Sequence, residues 1–150
     1  MSEDKNKESE KKQLAVIRIR GITGVEKSIK DTLDMLGLYH NNYCAVVDSS
    51  MFNMVRKAKD YVTWGEINQE TLKMLADKRG EEYKARQADS KNKIKYNKFI
   101  SINGKKYKKY FRLSPPRKGF ERKGIKVPFS KGGALGYRKE KINDLIKRMI

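Results

Sequence analysis

The residues of this sequence best suited to chemistry are the basic and aromatic side chains crowded into residues 104–139. That segment holds 13 Lys and Arg residues against one acidic residue, Glu121. Lys and Arg neutralise phosphates, and aromatic rings and Arg planes stack on exposed bases. A solvated charge run does not need aromatic rings, so the combination favours RNA binding over a merely solvated surface. The interleaved rings are Tyr107, Tyr110, Phe111, Phe120, Phe129 and Tyr137.

Two arginines of an earlier apolar run form a second candidate surface. Side chains alternate between the faces of a strand, and LAVIRIRG at residues 14–21 has the composition of a central strand. Its two sets are Ala15, Ile17 and Ile19 on one face and Val16, Arg18 and Arg20 on the other. A solvated face is the alternative for the second set, and binding is favoured because the rest of the chain is so basic.

The glycines of KGGALG, residues 131–136, expose backbone amides that could bind an anion, and a flexible turn explains them equally well. The segment 104–139 has too few aliphatic residues for a core of its own, so we expect it to order fully only against RNA. The candidate RNA-binding residues are Arg18, Arg20, Lys105, Lys106, Tyr107, Lys108, Lys109, Arg112, Arg117, Lys118, Phe120, Arg122, Lys123, Lys126, Lys131, Gly132, Gly133 and Arg138.

Signals for catalysis are weak. Acidic residues are scattered where helix-surface ion pairs explain them. The adjacent residues Asp48, Ser49 and Ser50, with distant His40, cannot easily adopt triad geometry. One cysteine and one histidine exclude an internal disulfide and a Cys/His zinc cluster. Cys44 fits a small buried hydrophobe, and KGGALG lacks the Lys-Ser/Thr ending of a nucleotide-binding loop. We expect no enzyme, no metal, no cofactor and no small-molecule substrate.

The charge points to a polyanionic partner. The 150 residues carry 36 Lys and Arg against 18 Asp and Glu, a formal net charge of +18. Residues 1–80 contribute +2 and residues 81–150 contribute +16. Such an excess destabilises a compact state unless a polyanion neutralises it. The charged first residues do not resemble a signal peptide and no apolar run is long enough to span a membrane, so we expect an intracellular protein without a membrane partner.

Residues 14–80 predict one small α+β core. Strands at 14–20, 42–49 and 61–67 alternate with helices, which predicts β-α-β-α-β-α with helices on one face of the sheet and the Arg18 face left open. Thr23, Ser50 and Asn68 are predicted helix N-caps, and Gly37 and Gly80 predicted helix ends. A stripe of Met and aliphatic residues at 51–58 is assigned to the core.

The remaining residues predict a tail and an extension. Residues 1–13 are charged and are expected to be disordered when free. Residues 81–150 form the extension: a Lys-rich linker at 81–97, a β-hairpin at 99–113 turning at Asn103-Gly104, a Gly- and Pro-rich loop, and an amphipathic helix near the end that docks on the core.

Four longer motifs resemble ribosomal protein L-thirty of the large subunit in its archaeal and eukaryotic form. They are IRIRGITGV at 17–25, YVTWGEINQETLKMLADKRG at 61–80, FRLSPPRKGFERKGIK at 111–126, and GGALG followed by INDLIKRM. The resemblance covers nearly the whole chain from Leu14 and is poorest over 81–103. It implies an α+β fold with a three-stranded sheet ordered 3-1-2. It also implies a structural, rRNA-binding constituent of the cytoplasmic large subunit that meets neighbouring ribosomal proteins.

Two alternatives share part of these features. A nucleic-acid-processing enzyme on a similar fold needs an acid pair or metal cluster that the sequence does not offer. A free-standing DNA-packaging protein shares the charge but leaves the four motifs unexplained. Duplex DNA competing with structured RNA for the protein distinguishes the last possibility from a ribosomal one.

Overall fold

The computed structural model describes residues 13–21, 23–84, 90–93, 99–102 and 104–150. The predicted disordered tail, apart from Gln13, lies outside the described residues, as do Asn103 and parts of the Lys-rich linker. The helices and strands, in chain order, are β1 (Gln13–Arg18), α1 (Lys27–Met35), β2 (Tyr43–Asp48), α2 (Phe52–Lys57), β3 (Val62–Glu66), α3 (Gln69–Arg79), β4 (Phe99–Ile102), β5 (Lys105–Lys108), β6 (Tyr110–Arg112), β7 (Gly136–Tyr137) and α4 (Ile142–Met149).

One mixed sheet organises these elements, in the order β6-β2-β1-β3-β7. Strand β1 lies at its centre, and Val16 pairs with Ala45 of β2 on one side and with Trp64 of β3 on the other, both antiparallel. Strand β6 adds antiparallel to β2, and β7 adds parallel to β3. The α+β class and the central position of β1 are therefore confirmed. The expected order 3-1-2 is present at the centre of the sheet, but the expected number of three strands is wrong, because short strands from the extension lengthen the sheet to five.

Helices cover both faces of this sheet. Leu14 and Val16 of β1 pack with α1 and α2 in one apolar cluster. Ala15 and Ile17 pack with α3 and α4 in another. The prediction of one open face is wrong. The physical reason lies in the run Leu-Ala-Val-Ile, which is apolar on both faces of the strand and so needs cover on both.

Helix ends follow the predicted capping chemistry in part. The Asn68 side chain accepts a hydrogen bond from the Thr71 backbone N–H at 2.8 Å, which confirms it as the N-cap of α3. Gly37 follows α1 with a φ of +83°, the left-handed conformation expected after a helix end. The predicted caps at Thr23 and Ser50 are wrong, because α1 starts after Glu26 and α2 starts after Met51, neither with a side-chain cap.

The extension is built into the core. Strands β4 and β5 form the predicted hairpin, with Ile102 opposite Lys105 and Gly104 at a φ of +79°. The hairpin ends at Lys108, earlier than predicted, because the following residues join β2 as β6. Helix α4 docks on the core as predicted, with a fully buried apolar stripe. That stripe consists of Ile142, Leu145, Ile146 and Met149.

Candidate RNA interface

Five basic candidates gather on the hairpin and the strand that follows it, a patch we call the hairpin surface. It consists of Lys105, Lys106, Lys108, Lys109 and Arg112. Glu81 organises its centre: its carboxylate accepts a hydrogen bond from Lys108 Nζ at 3.1 Å and forms a second ion pair with Arg112. The bond from Lys108 holds the pKa of the Glu81 carboxyl below its ordinary value, and Arg112 adds to the effect. One acidic group thus keeps two cations side by side.

The aromatic candidate of the hairpin, Tyr107, has a structural contact. Its half-buried ring packs against the apolar cluster under α3 and α4. Lys106 Nζ lies 5.0 Å from the ring centroid of Phe99, across the hairpin. The side chains of Lys105 and Lys109 project into solvent. The hairpin therefore anchors itself through rings and presents lysines outward.

Six further candidates lie exposed on the loop between β6 and β7, which we call the loop surface. Phe120, in the same loop, is half-buried and packs against both neighbouring apolar clusters. Arg148 of α4 holds the start of the loop by donating to the Gly119 carbonyl at 2.9 Å. Apolar residues of the loop pack against the sheet, since Ala134 and Leu135 contact Ile19. That the segment 104–139 orders fully only on RNA stays a prediction. The six are Arg117, Lys118, Arg122, Lys123, Lys126 and Lys131.

Arg138 is not an exposed candidate but the internal anchor of the loop, so its predicted position on the RNA-facing surface is wrong. Its guanidinium is 2% exposed and donates to Thr63 Oγ1 at 2.8 Å, to Glu121 Oε1 at 2.9 Å and to the Ala134 carbonyl at 2.9 Å. It also lies 4.8 Å from the ring centroid of Phe129. Burial lowers the pKa of the Arg138 guanidinium, and Glu121 partly offsets this.

Arg18 likewise lies inside the protein, at 1% exposure, because α1 and the turn after it cover its face of the sheet. Its Nη1 donates to the Leu38 carbonyl at 2.8 Å and its Nε to the Arg20 carbonyl at 3.1 Å. Burial lowers the pKa of the Arg18 guanidinium, with Asp34 acting in the opposite direction. Arg20 follows the end of β1 and stays half-buried, its guanidinium 5.1 Å from the ring centroid of Tyr61. The two arginines do not form a shared surface.

Of the two interpretations of Gly132 and Gly133, an anion site or a turn, the structure favours the turn. The Gly132 amide donates to the Phe129 carbonyl at 3.0 Å, and the Gly133 amide to the Pro128 carbonyl at 2.9 Å. Gly133 is buried, and a Cβ there would collide with the Val127 carbonyl. The glycines thus serve a tight turn, and their amides are used by the chain itself.

Sequence reasoning missed several residues of these surfaces. Lys139 and Lys141 are exposed, and Lys141 Nζ lies 5.4 Å from the Phe129 ring centroid. Both lie at the junction of β7 and α4, and basic residues flanking a docked helix were the available signal. Glu81 carried no local signal, because its partners are more than 25 residues away in sequence.

The packing of Tyr110 against Tyr39 and Tyr43, beside the hairpin surface, was also missed. Tyr43 stacks on Tyr110 at 5.3 Å between ring centroids, and Tyr39 meets Tyr110 edge-on at 5.8 Å. The pairing of β6 with β2 creates this cluster, and no local pattern in the sequence indicates that pairing.

A search of the described residues for a membrane-spanning helix found none of sufficient length and hydropathy.

Comparison with known proteins assigns the chain to a family. Residues 14–62 match the model of the family described as ribosomal protein L30p/L7e. Large ribosomal subunit protein uL30 of Methanopyrus kandleri is 41% identical over 149 residues, covering 88% of this chain and 100% of that protein. The uL30 of Nanoarchaeum equitans is 45% identical over 152 residues, covering 91% of this chain and 97% of its own. Because relatives of this identity align over nearly their full length, the chain belongs to the uL30 family of ribosomal proteins.

Proposed function

We propose that this protein is a structural constituent of the large ribosomal subunit that binds and stabilises folded ribosomal RNA. The observation that carries the proposal is identity of 41% to 45% with archaeal uL30 proteins over almost the whole length of both chains. Its place is the cytoplasmic ribosome, its partners are ribosomal RNA and neighbouring large-subunit proteins, and its role is structural rather than enzymatic.

The hairpin surface and the loop surface are the proposed RNA contacts. Exposed cations contribute little to folding, and a formal net charge of +18 opposes compaction of the free chain. Phosphate groups reverse that effect, because each neutralised phosphate releases counterions. Glu81 keeps Lys108 and Arg112 together before RNA arrives, which reduces the entropy lost on binding. The proposed contacts do not include Arg18 and Arg138, which are buried, or the two turn glycines. Arg20 is half-buried and is proposed as a minor contact.

The proposal also assigns different roles to the core at residues 14–80, which supplies most of the fold, and to the basic extension at 81–150, which supplies most of the RNA contacts. Residues of the first part supply the central strands and three of the four helices among the described residues. The extension supplies β6, β7 and α4, which join the same sheet and core. Its outward charges remain the proposed RNA-binding part, whereas its inward side chains complete the fold.

Sedimentation tests the proposal. Tagged protein expressed in its own cells, or in an archaeal host, is expected to comigrate with the large subunit in a sucrose gradient. It should stay there after a wash that removes loosely bound basic proteins. A chain found only in the free fractions contradicts the proposal.

A further inference from the structure

A cavity of about 640 Å³ lies between the C-terminal end of α1 and the hairpin, where Lys108 and Lys109 of the hairpin surface form part of its lining. Its volume falls within the range of about 300–1,000 Å³ typical of sites for small organic groups. Residues from three separate parts of the chain line it: the end of α1, the segment after α3, and the junction of β5 and β6. Among them are Asp34, Tyr39, Glu82, Lys84, Lys109 and Tyr110.

Two aromatic walls of the cavity stand perpendicular to each other. The rings of Tyr39 and Tyr110 have an interplanar angle of 88° and centroids 5.8 Å apart. Tyr110 is fixed from behind, because Tyr43 stacks on it with an interplanar angle of 11°. Tyr39 is 45% exposed, so part of its ring is open to solvent beside Tyr110. A planar group can therefore stack on the exposed Tyr39 ring, one of the favoured aromatic geometries, while Tyr110 supports that ring from its other side.

Glycine at position 37 lies in the cavity wall, in the turn that leads from α1 to Tyr39. A Cβ there would meet the Tyr110 Cβ at 3.8 Å, an ordinary van der Waals contact. Its φ of +83° lies in the left-handed region, so a larger residue would strain the backbone of this turn. The end of α1 and the cavity wall thus share this residue.

The charges around the cavity suit a nucleotide. Lys84, Lys108 and Lys109 lie on its lining, and Lys108 Nζ is 6.0 Å from the Tyr110 ring centroid. These ammonium groups can bind a phosphate backbone that passes the mouth of the cavity. The lining also carries two exposed carboxylates, Asp34 and Glu82, which can only accept hydrogen bonds when ionised. Cations for phosphate and acceptors for a base edge therefore meet at one aromatic site.

We propose that this cavity holds a single unstacked nucleotide of ribosomal RNA, with its base against Tyr39 and Tyr110. The inference rests on the proposed function and adds to it a defined site for one base. RNA loops present splayed-out bases to aromatic side chains in this way. The carboxylates favour a base with an exocyclic amino group. Uracil is disfavoured, because its edge places one N–H between two carbonyl oxygens.

Short-wavelength ultraviolet crosslinking of purified large subunits, followed by mass spectrometry of the crosslinked peptides, tests the proposal. Wild-type protein should carry a nucleotide adduct at Tyr39 or Tyr110, on guanine, cytosine or adenine. Tyr39→Leu keeps bulk but removes the ring and should reduce the adduct at Tyr110 about tenfold, since stacking on one ring contributes that order of affinity. Tyr39→Phe keeps the ring and should restore it.

Phe52→Leu is the matched control, because Phe52 is 40% exposed and lies on α2, outside the cavity lining. It should leave the adduct unchanged. Subunits that contain the protein but yield no adduct at Tyr39 or Tyr110, an adduct indifferent to Tyr39→Leu, or an adduct on uracil alone overturn the proposal.

A second arm separates an RNA nucleotide from a free one. The free full-length chain is titrated with guanosine and uridine 5′-monophosphates while the tyrosine ring resonances are followed by NMR. Shifts at Tyr39 that are larger with the guanosine nucleotide, together with the adduct in subunits, support the proposal. Shifts without any adduct indicate a site for free nucleotides and overturn it. If the protein is absent from large subunits, the proposed function is refuted. The titration then tests the cavity separately, and free-chain spectra without a Tyr39 shift on adding the guanosine nucleotide refute the cavity site.

Discussion

Replacing Arg138 with Met should unfold the protein far more easily than any change to an exposed cation. The side chain is 2% exposed and donates three hydrogen bonds, to Thr63, Glu121 and the Ala134 carbonyl. Met fills a similar volume but cannot donate, so all three acceptors lose their partner. The loop between β6 and β7 then loses the side chain that links Glu121 in its first half and Ala134 in its second half to Thr63 of β3.

The magnitude follows from the burial of each partner. Breaking a buried ion pair by removing one member costs about 3–5 kcal/mol. The Glu121 side chain is 30% exposed and can rehydrate, which places the loss near the lower end of that range. Loss of the stack on Phe129 adds little, because Met still contacts the ring. The expected fall in the free energy of unfolding is therefore about 3 kcal/mol, a large part of the 5–15 kcal/mol typical of a domain.

Equilibrium unfolding in urea, followed by circular dichroism, measures this difference. Arg122→Met is the control, since it removes the same charge from an exposed position in the loop that Arg138 anchors and should cost less than about 0.5 kcal/mol. Arg138→Lys should lie between the two, because one ammonium cannot reach three acceptors. A loss below about 1 kcal/mol for Arg138→Met refutes the role of Arg138 as the anchor of the loop.

Three further predictions follow from burial and charge. Arg18→Met should lower the free energy of unfolding by about 2–3 kcal/mol through two lost internal hydrogen bonds, whereas Arg20→Met should cost less than about 1 kcal/mol; equal losses in urea contradict the buried position of Arg18. Burial raises the pKa of Cys44 from its ordinary 9.0 to about 12, so above pH 9 the unfolded chain releases the thiol proton first and stability falls with rising pH until about 12. Cys44→Ala should flatten that part of the stability profile, and an unchanged slope contradicts it. With roughly 6–10 phosphate contacts, RNA affinity should fall about 10³- to 10⁵-fold between 50 and 200 mM salt, and a flat response contradicts the proposed surfaces.

Local chemistry explains which parts of the fold could be predicted. Asn68 caps α3 by accepting a hydrogen bond from a residue three positions away, so neighbouring residues suffice to predict its role. Gly37 and the apolar stripe of α4 are equally local signals. Strands β6 and β7 were not predictable in this way. They have three and two residues, and their pairing with β2 and β3 is decided by contacts more than 60 residues away in sequence.

The burial of Arg18 and Arg138 could not be predicted from the sequence. The alternation around β1 correctly placed Arg18 on the Val16 face, but periodicity cannot say whether a helix covers that face. The continuous apolar run before Arg18 was the signal for cover on both sides. Arg138 offered no such signal, because it lies in a basic part of the sequence, directly after β7, and its partner Thr63 is 75 residues away. Charge density predicts which segment carries the proposed interface, and only the fold separates the buried arginines of that segment from its exposed cations.

Competition for assembly tests the central claim, that exposed lysines of the loop surface bind ribosomal RNA, most directly. Wild type and a variant are coexpressed at equal levels, and their ratio in purified large subunits is measured by mass spectrometry. The double variant Lys123→Gln and Lys126→Gln should be depleted about tenfold relative to wild type, because two phosphate contacts are lost. The matched pair Lys57→Gln and Lys59→Gln, exposed but outside both surfaces, should incorporate equally. Equal incorporation of the loop-surface variant, at an unchanged melting temperature, contradicts the account.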